Sequence, residues 1–381
     1  MKVVIAPDSF KESLSALEAA KAIRDGFQTV FPDADYVLVP VADGGEGTVD
    51  ALVDATGGHR IYRSVTGPLQ TPVEAVFGVT GDLKTAIIEM ASAAGLMLVA
   101  PAARNPMITT SYGVGELISA ALDANVRHII IGIGGSATND AGAGMLQALG
   151  ARLLDASGFD LDRGGGSLAN LDKIDLAALD ARLAGVRIEV ACDVDNPLIG
   201  PNGASAIFGP QKGASAEQIA HLDASLARFA EIVERYIGRS VAMVPGAGAA
   251  GGLGASLHAL LGAELKPGAE IVMNAVHLED LVASADLVLT GEGRLDGQTV
   301  CGKIPIGVAN VAKRHAKPTI AIAGCLGQGA EQVFDHGIHA AFSVLSRSCS
   351  TEEALAEAAE NLHRTARNVA ATLKLGRLVG S

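Results

Sequence analysis

The chain has 381 residues, a length that predicts two or three domains. With 49% hydrophobic and 19% charged residues, its composition is that of a folded protein and excludes long disordered segments. Its 42 acidic residues outnumber its 29 Lys and Arg, for a net charge of −13, and 3% of the residues are aromatic. The chain therefore lacks both the positive charge and the stacking side chains that are typical of a nucleic-acid binder.

The cysteines and the apolar segments predict a cytoplasmic protein with no membrane partner. The N-terminal apolar run ends at Pro7, before a signal-peptide core could form. Residues 243–262 are interrupted by adjacent glycines and contain no aromatic anchors, so they predict a buried loop and helix instead of a membrane span. The cysteines are far apart in the sequence and form no metal-binding motif, which favours reduced thiols: Cys192, Cys301, Cys325 and Cys349.

The first 65 residues predict two strand–loop–helix units. The apolar run Val3–Ala6 predicts a strand, and the capping box of Ser15 and Glu18 marks the start of the helix that follows. Tyr36–Val41 predicts a second strand, which leads through the loop ADGGEGT into another helix.

The C-terminal quarter repeats this alternation. Strands are predicted at 287–289, 319–323 and 341–345, and a second capping box, of Ser350 and Glu353, precedes a final helix. Strands that alternate with helices predict a parallel sheet, whose ligands lie at the carboxyl ends of the strands.

The middle of the chain has a different pattern. Pro72–Val79 and Thr85–Met90 predict antiparallel strands around a turn at Gly81 and Asp82, and glycine-rich loops follow. We therefore predict an α/β protein in which a flavodoxin-like parallel-sheet domain, 1–65 plus 286–381, is interrupted by a larger inserted α/β domain, 66–285. The active site is expected in the cleft between the two domains.

Three loops at predicted strand ends carry carboxylates beside glycines. A single such carboxylate is more often an ordinary turn former, but three loops accompanied by cations are harder to explain in that way. Carboxylates with few other protein ligands suit Mg²⁺ that is carried by nucleotide phosphates. The acidic candidates and the two cations are Asp8, Asp43, Glu46, Asp193, Glu292, Asp296, Lys11 and Arg294.

The segment 128–140, HIIIGIGGSATND, predicts a strand, a glycine turn and a helix that extends to Leu149. Gly134, Gly135, Ser136 and Thr138 would cradle a phosphate through backbone N–H groups, hydroxyls and the dipole of the helix N-terminus. The same residues match a dinucleotide fingerprint with Asp155 as its acidic residue, and an ordinary strand–helix turn is a third interpretation.

Residues 297–304 match the P-loop pattern G-x-x-x-x-G-K, but Ile304 stands where the hydroxyl that binds Mg²⁺ is required. We therefore reject a P-loop fold. Lys303 is kept as a candidate phosphate contact, although a solvated surface lysine explains it equally well.

Taken together, six long motifs resemble the bacterial glycerate kinase type 1 family, in order and over essentially the whole chain. They lie at residues 6–16, 39–52, 132–151, 191–214, 244–255 and 289–313. The resemblance implies ATP-dependent phosphorylation of D-glycerate in the cytosol, at the 2-hydroxyl as in the enterobacterial-type members, with ATP and Mg²⁺ as cofactors. The alternatives are phosphorylation at the 3-hydroxyl, an NAD(P)-linked hydroxy-acid dehydrogenase, and a non-catalytic anion-binding module.

For a kinase, the residues divide into provisional roles. Asp193 is the preferred base, because it directly follows the buried run 188–192, and Lys11 and Arg294 complete the catalytic set. Asp43, Glu46 and Asp296 are candidate ligands of Mg²⁺, and Asp296 is the alternative base. The candidate substrate contacts are Asp8, Ser9, Gly291 and Glu292.

Overall fold

The structure, a computed structural model, describes residues 1–379 apart from the side chains of Cys301 and Arg377. The Cys301 thiol therefore lies outside the described residues, and Cys192, Cys325 and Cys349 are free thiols. The strands are β1 (Lys2–Pro7), β2 (Asp35–Leu38), β3 (His59–Thr66), β4 (Pro72–Val79), β5 (Thr85–Glu89), β6 (His128–Gly132), β7 (Arg152–Leu154), β8 (Lys173–Asp175), β9 (Arg187–Ala191), β10 (Glu264–Lys266), β11 (Leu287–Gly291), β12 (Arg294–Leu295), β13 (Thr319–Ala323), β14 (Cys325–Leu326) and β15 (Ala340–Ser343).

The helices account for most of the remaining regular structure. They are α1 (Ala16–Gln28), α2 (Thr48–Thr56), α3 (Ala91–Ala94), α4 (Tyr112–Asp123), α5 (Ala143–Ala148), α6 (Ala204–Phe208), α7 (Ala216–Ile237), α8 (Leu253–Leu260), α9 (Gly268–Ala275), α10 (Leu278–Ala283), α11 (Ile304–Arg314), α12 (Thr351–Ala356) and α13 (Ala358–Val379). No helix of the described residues is long and apolar enough to cross a membrane.

The chain forms two compact units. The first unit comprises residues 1–43, 50–57 and the chain from residue 269 onward, and the second unit comprises 44–49 and 58–268. These limits fall at 57/58 and 268/269, whereas the sequence suggested 65/66 and 285/286. The division into a flavodoxin-like domain, 1–65 plus 286–381, and an inserted domain, 66–285, stays a prediction.

The first unit contains a five-stranded sheet in the order β15-β13-β11-β1-β2, and all of its pairings are parallel. Counted along this unit alone, that order is 2-1-3-4-5, the flavodoxin-like order. Alternate residues of β13 pack on opposite faces: Ile320 and Ile322 with α1 and α13, and Ala321 and Ala323 with α11. The predicted flavodoxin-like sheet is therefore confirmed.

Both predicted capping boxes are present in the first unit. Ser15 caps α1 and Ser350 caps α12. In each case the Ser hydroxyl oxygen accepts the N–H of the Glu three residues later, and the carboxylate of that Glu accepts the Ser N–H. The predicted single C-terminal helix is divided into α12 and α13 at Glu357, although the Glu357 N–H still donates to the Glu353 carbonyl at 3.0 Å and the Asn361 N–H to the Glu357 carbonyl at 2.9 Å. No Gly or Pro lies at this break, so the local sequence gives no sign of it.

The strand predicted at 36–41 is shorter than expected and ends at Leu38. Backbone N–H groups of Val39 and Val41 still donate to Ile5 and Pro7 of β1, at 2.8 and 3.2 Å. Pro40 lies between these two donors, at a position whose N–H would point away from β1, so a proline there leaves both bonds in place.

The second unit contains a six-stranded mixed sheet in the order β10-β9-β6-β5-β4-β3. The predicted antiparallel pair is confirmed as β4 and β5, while β5, β6, β9 and β10 are parallel. The loop that carries Gly134 follows β6, and the loop that carries Asp193 follows β9, at the same carboxyl edge of the sheet. Residues 243–262 form a buried glycine turn and α8, as predicted.

Candidate active site

A cavity of about 570 Å³ lies in the first unit, beyond the carboxyl ends of the central strands β1 and β11. In the 2-1-3-4-5 order, these are the strands between which the connections change direction, and ligands of open α/β sheets bind at that point. Asp8 directly follows β1, and Glu292 directly follows β11. Most of the candidate residues that the sequence indicated in this unit line the cavity: Asp8, Ser9, Lys11, Asp43, Glu292, Arg294 and Lys303.

Asp8 is the buried acid of this cavity, with 7% of its surface exposed. Its backbone N–H donates to the Gly291 carbonyl at 2.8 Å, and its Oδ1 accepts the Ser9 N–H at 2.6 Å. Burial, followed by the negative charges of Asp43 and Glu292, raises the pKa of Asp8 from 3.8 to about 7. The Asp8 carboxyl can therefore gain or lose a proton near neutral pH.

Glu292 is the second buried acid of the cavity. Its Oε1 accepts the Thr299 hydroxyl at 2.7 Å, and its Oε2 lies 3.3 Å from Lys303 Nζ. Burial raises the pKa of the Glu292 carboxyl, while Thr299 and Lys303 act in the opposite direction. Lys303 is the N-cap residue of α11, and the ion pair with Glu292 holds its ammonium at the cavity.

Arg294 supplies an exposed cation at the cavity wall. Its Nε lies 3.0 Å from Asp296 Oδ2, and 65% of the side chain is exposed. Asp296 Oδ1 accepts the Gln298 N–H at 2.9 Å. Arg294 and Asp296 therefore form an ion pair, and the remaining guanidinium N–H groups are available to an anion.

Two features of the first unit differ from the sequence-based assignment, in which Gly291 is a substrate contact and no apolar wall is included. Gly291 supports the site from behind, because a Cβ there would lie 1.9 Å from the Ile322 carbonyl oxygen, which leaves no room for a side chain. The cavity also has an apolar wall contributed by Val344, Leu345 and Leu355. Leu355 lies in α12, which the sequence analysis treated only as part of a terminal helix.

In the second unit, the predicted phosphate cradle forms a loop without a helix at its end. Gly134 and Gly135 are exposed, while the next five residues are buried. The helix predicted directly after the glycines begins only at Ala143, and a contribution of its dipole to phosphate binding stays a prediction. Asp140 is the physical reason for the later start, since its carboxylate accepts the N–H groups of Gly142 and Gly144 at 3.1 and 3.3 Å.

The glycine loop nevertheless offers backbone donors. Among the described residues, no hydrogen bond engages the N–H groups of Gly134, Gly135 and Ser136. Gly135 has a φ of +71°, a left-handed conformation that favours glycine. Thr138 is fully buried, so its side chain lies away from solvent.

The sequence analysis missed Lys212, which lies behind this loop. Its Nζ donates to Ser136 Oγ at 2.9 Å and to the Thr138 carbonyl at 2.6 Å. Lys212 is 1% exposed, and burial lowers its pKa to about 7. The only local signal is a lysine between residues that favour turns, in GPQKGA, and that pattern does not indicate burial.

Asp193 and Glu46 also belong to the second unit. Asp193 is exposed, and its Oδ1 accepts the Gly268 N–H at 2.9 Å. Glu46 is exposed, in a loop held close to the sheet at Gly44, where a Cβ would lie 2.5 Å from that of Ala191. Within residues 1–379, no group of three or more His, Cys, Asp or Glu side chains is arranged to hold a metal ion.

Comparison with known proteins decides the family. Residues 3–374 match the model of the glycerate kinase family. The chain belongs to the glycerate kinase family. The glycerate kinase of Bacillus subtilis (strain 168) is 58% identical over 99% of both chains, and the glycerate 2-kinase of Escherichia coli (strain K12) is 57% identical over 99% of both. The crystal structure of a protein named glycerate kinase 2, from Salmonella typhimurium LT2, matches with 58% identity and a TM-score of 0.92 over 99% of both chains.

Membership in the glycerate kinase family confirms the expected reaction class and implies ATP as a substrate. It also argues against the dehydrogenase alternative, which the structure weakens independently. Asp155, its candidate acidic residue, accepts the N–H groups of Ser157 and Phe159 at 2.8 and 3.0 Å and is therefore a turn former.

Proposed function

We propose that this glycerate kinase phosphorylates D-glycerate with ATP, at the 2-hydroxyl, in the cytoplasm. The observation that carries the proposal is the cavity of the first unit, which combines a buried acid, Asp8, with two cations, Lys11 and Arg294. Glycerate is a small anion with hydroxyl groups, so it needs both kinds of group: cations for its carboxylate and an acceptor for a hydroxyl proton. The free thiols are consistent with a reducing compartment.

Arg294 and Lys11 are the proposed partners of the glycerate carboxylate. The guanidinium of Arg294 can bind a carboxylate through two parallel N–H donors, which fixes both the position and the orientation of the substrate. Ser9 and Glu292, on the same cavity wall, offer polar groups to the hydroxyls of glycerate. Such positioning is the main requirement of phosphoryl transfer, which asks little covalent chemistry of the protein.

Asp8 is the proposed base, in place of the sequence-based choice of Asp193. Its pKa of about 7 is close to the operating pH, which is the most effective value for a general base. The Asp8 carboxylate accepts the proton of the glycerate 2-hydroxyl as the hydroxyl oxygen forms a bond to the γ-phosphorus. The bond from that phosphorus to the bridging oxygen breaks, and ADP leaves with the electron pair.

The phosphates of ATP are proposed to bind the backbone N–H groups of Gly134, Gly135 and Ser136, because those donors have no other partner among the described residues. Mg²⁺, when bound with ATP, neutralises phosphate charge. The carboxylates of Asp43, Glu46 and Asp296 are its proposed protein ligands. Asp43 is the best supported of them, since its negative charge acts on Asp8 and a cation would relieve that repulsion.

The test is ADP release by the purified protein with D-glycerate, ATP and Mg²⁺, followed by identification of the product with enolase. Enolase converts 2-phosphoglycerate directly, whereas 3-phosphoglycerate reacts only after a mutase is added. We expect ADP release that depends on D-glycerate and a product that enolase consumes without the mutase. ADP release only with a different hydroxy acid would contradict the substrate, and a mutase requirement would contradict the 2-hydroxyl.

A further inference from the structure

Lys212 combines nearly complete burial with a position against the predicted phosphate loop. It ends the short turn Pro210–Lys212, and Gly213 follows with a φ of +88°. A Cβ on Gly213 would lie 2.6 Å from the Arg104 carbonyl oxygen, so the backbone beside Lys212 has little freedom to move. The position of the ammonium group in the interior of the second unit is therefore restricted.

The surroundings of Lys212 are unusual for a buried cation, because its two hydrogen-bond acceptors are both neutral. They are Ser136 Oγ and the Thr138 carbonyl oxygen. Asp140 is the nearby negative charge, but its oxygens already accept hydrogen bonds from Ser111, Gly142 and Gly144. A buried ammonium without a directly bonded carboxylate is costly for stability. A role in function would explain why the chain has a lysine here instead of an apolar residue.

The two acceptors of Lys212 belong to the same short loop as the exposed glycines. Lys212 binds Ser136 and Thr138 from the buried side, while Gly134 and Gly135 are exposed. Neutral contacts also hold the loop: Leu96 N–H donates to the Gly135 carbonyl at 2.8 Å, and the Thr109 hydroxyl donates to the Ala137 carbonyl at 2.9 Å. Among these anchors, Lys212 is the one that brings a positive charge.

We propose that Lys212 is a positioning residue for ATP, which fixes the loop 134–138 so that its backbone N–H groups bind the phosphates and adds a buried positive charge behind them. This inference rests on the proposed binding of phosphates at the loop. A charge in a low-dielectric interior acts on an anion more strongly than a solvated lysine would, since water screens it less.

The test compares Lys212→Met with Thr109→Val in the full-length enzyme. Methionine keeps the unbranched shape of lysine, with one heavy atom fewer, and removes the charge, whereas Thr109→Val removes a neutral hydrogen bond to the same loop. We expect Lys212→Met to raise the KM for ATP by roughly 10- to 100-fold, with a much smaller effect on the KM for D-glycerate. Thr109→Val should raise the KM for ATP by less than about 5-fold.

Two further variants separate the possible failures. Gly135→Val tests the loop itself, and an unchanged KM for ATP in that variant overturns the phosphate site of the proposed function. A raised KM for ATP in Gly135→Val with an unchanged KM for ATP in Lys212→Met overturns only the role of Lys212. An equal rise of the KM for ATP in Lys212→Met and Thr109→Val also overturns only that role. If Lys212→Met does not fold, Ser136→Ala decides, because it removes one acceptor of the ammonium. We then expect the KM for ATP to rise by roughly 3- to 10-fold, and an unchanged KM overturns the proposal.

Discussion

Replacing Asp8 with Asn tests the buried acid of the cavity through protein stability, independently of catalysis. Asn has nearly the shape of Asp but does not titrate, so the variant removes the charge and keeps the packing. Asp8 has 7% of its surface exposed, and the pKa of its carboxyl is raised from 3.8 to about 7. The matched control is Asp335→Asn, at an exposed position of the same unit.

The sign follows from proton binding. Because the folded state holds the Asp8 proton more tightly than the unfolded chain does, the stabilising contribution of this group is complete below pH 3.8 and is lost as the pH rises to about 7. Each pH unit in that interval corresponds to about 1.4 kcal/mol. Between pH 5 and pH 8, the wild-type protein should therefore lose about 3 kcal/mol of unfolding free energy relative to Asp8→Asn.

Urea unfolding of the wild type, Asp8→Asn and Asp335→Asn at pH 5 and pH 8 measures this difference. The account predicts that Asp8→Asn gains stability relative to the wild type as the pH rises, and that Asp335→Asn follows the wild type within about 0.5 kcal/mol. If the wild type and Asp8→Asn change in parallel between the two pH values, Asp8 is not a buried acid with a raised pKa and the reasoning fails.

Two other substitutions test packing and substrate binding. Gly26→Val should lower the unfolding free energy by more than about 2 kcal/mol in urea titrations, because a Cβ at Gly26 would meet the backbone of α13 at His363. The control is Gly376→Ala in α13, where the space around the glycine is open, and this variant should not lower the unfolding free energy. Arg294→Met should raise the KM for D-glycerate by roughly 10-fold or more in steady-state assays and leave the KM for ATP and the melting temperature nearly unchanged. An equal rise in both KM values would contradict the carboxylate contact.

The sequence predicts the fold well where local patterns determine it. The apolar runs at β1, β11 and β13 and the capping boxes at Ser15 and Ser350 are local signals, and the structure contains all of them. The motifs also identify the family, which the comparisons confirm. The helix after the glycine loop begins later than predicted because the Asp140 carboxylate accepts the N–H groups of Gly142 and Gly144, and a pattern of glycines does not reveal that contact.

The site is less predictable because its chemistry depends on residues that are distant in the sequence. The raised pKa of Asp8 requires burial together with Asp43 and Glu292, and the sequence analysis treated Asp8 only as a substrate contact. Lys212 acquires its environment from Ser136 and Thr138, more than 70 positions earlier. The role of Asp193, the binding of Mg²⁺ and the location of the site between the two domains stay predictions.

The most direct test of the central claim, that Asp8 accepts the proton of glycerate, is the kcat for ADP release with D-glycerate in Asp8→Asn and Asp193→Asn, measured side by side. Loss of a general base typically lowers the rate by about 10² to 10⁴. The account predicts a loss of that size in Asp8→Asn and a loss of less than about 10-fold in Asp193→Asn. Near-full kcat in Asp8→Asn, with a collapse in Asp193→Asn, would contradict the account and restore Asp193 as the base.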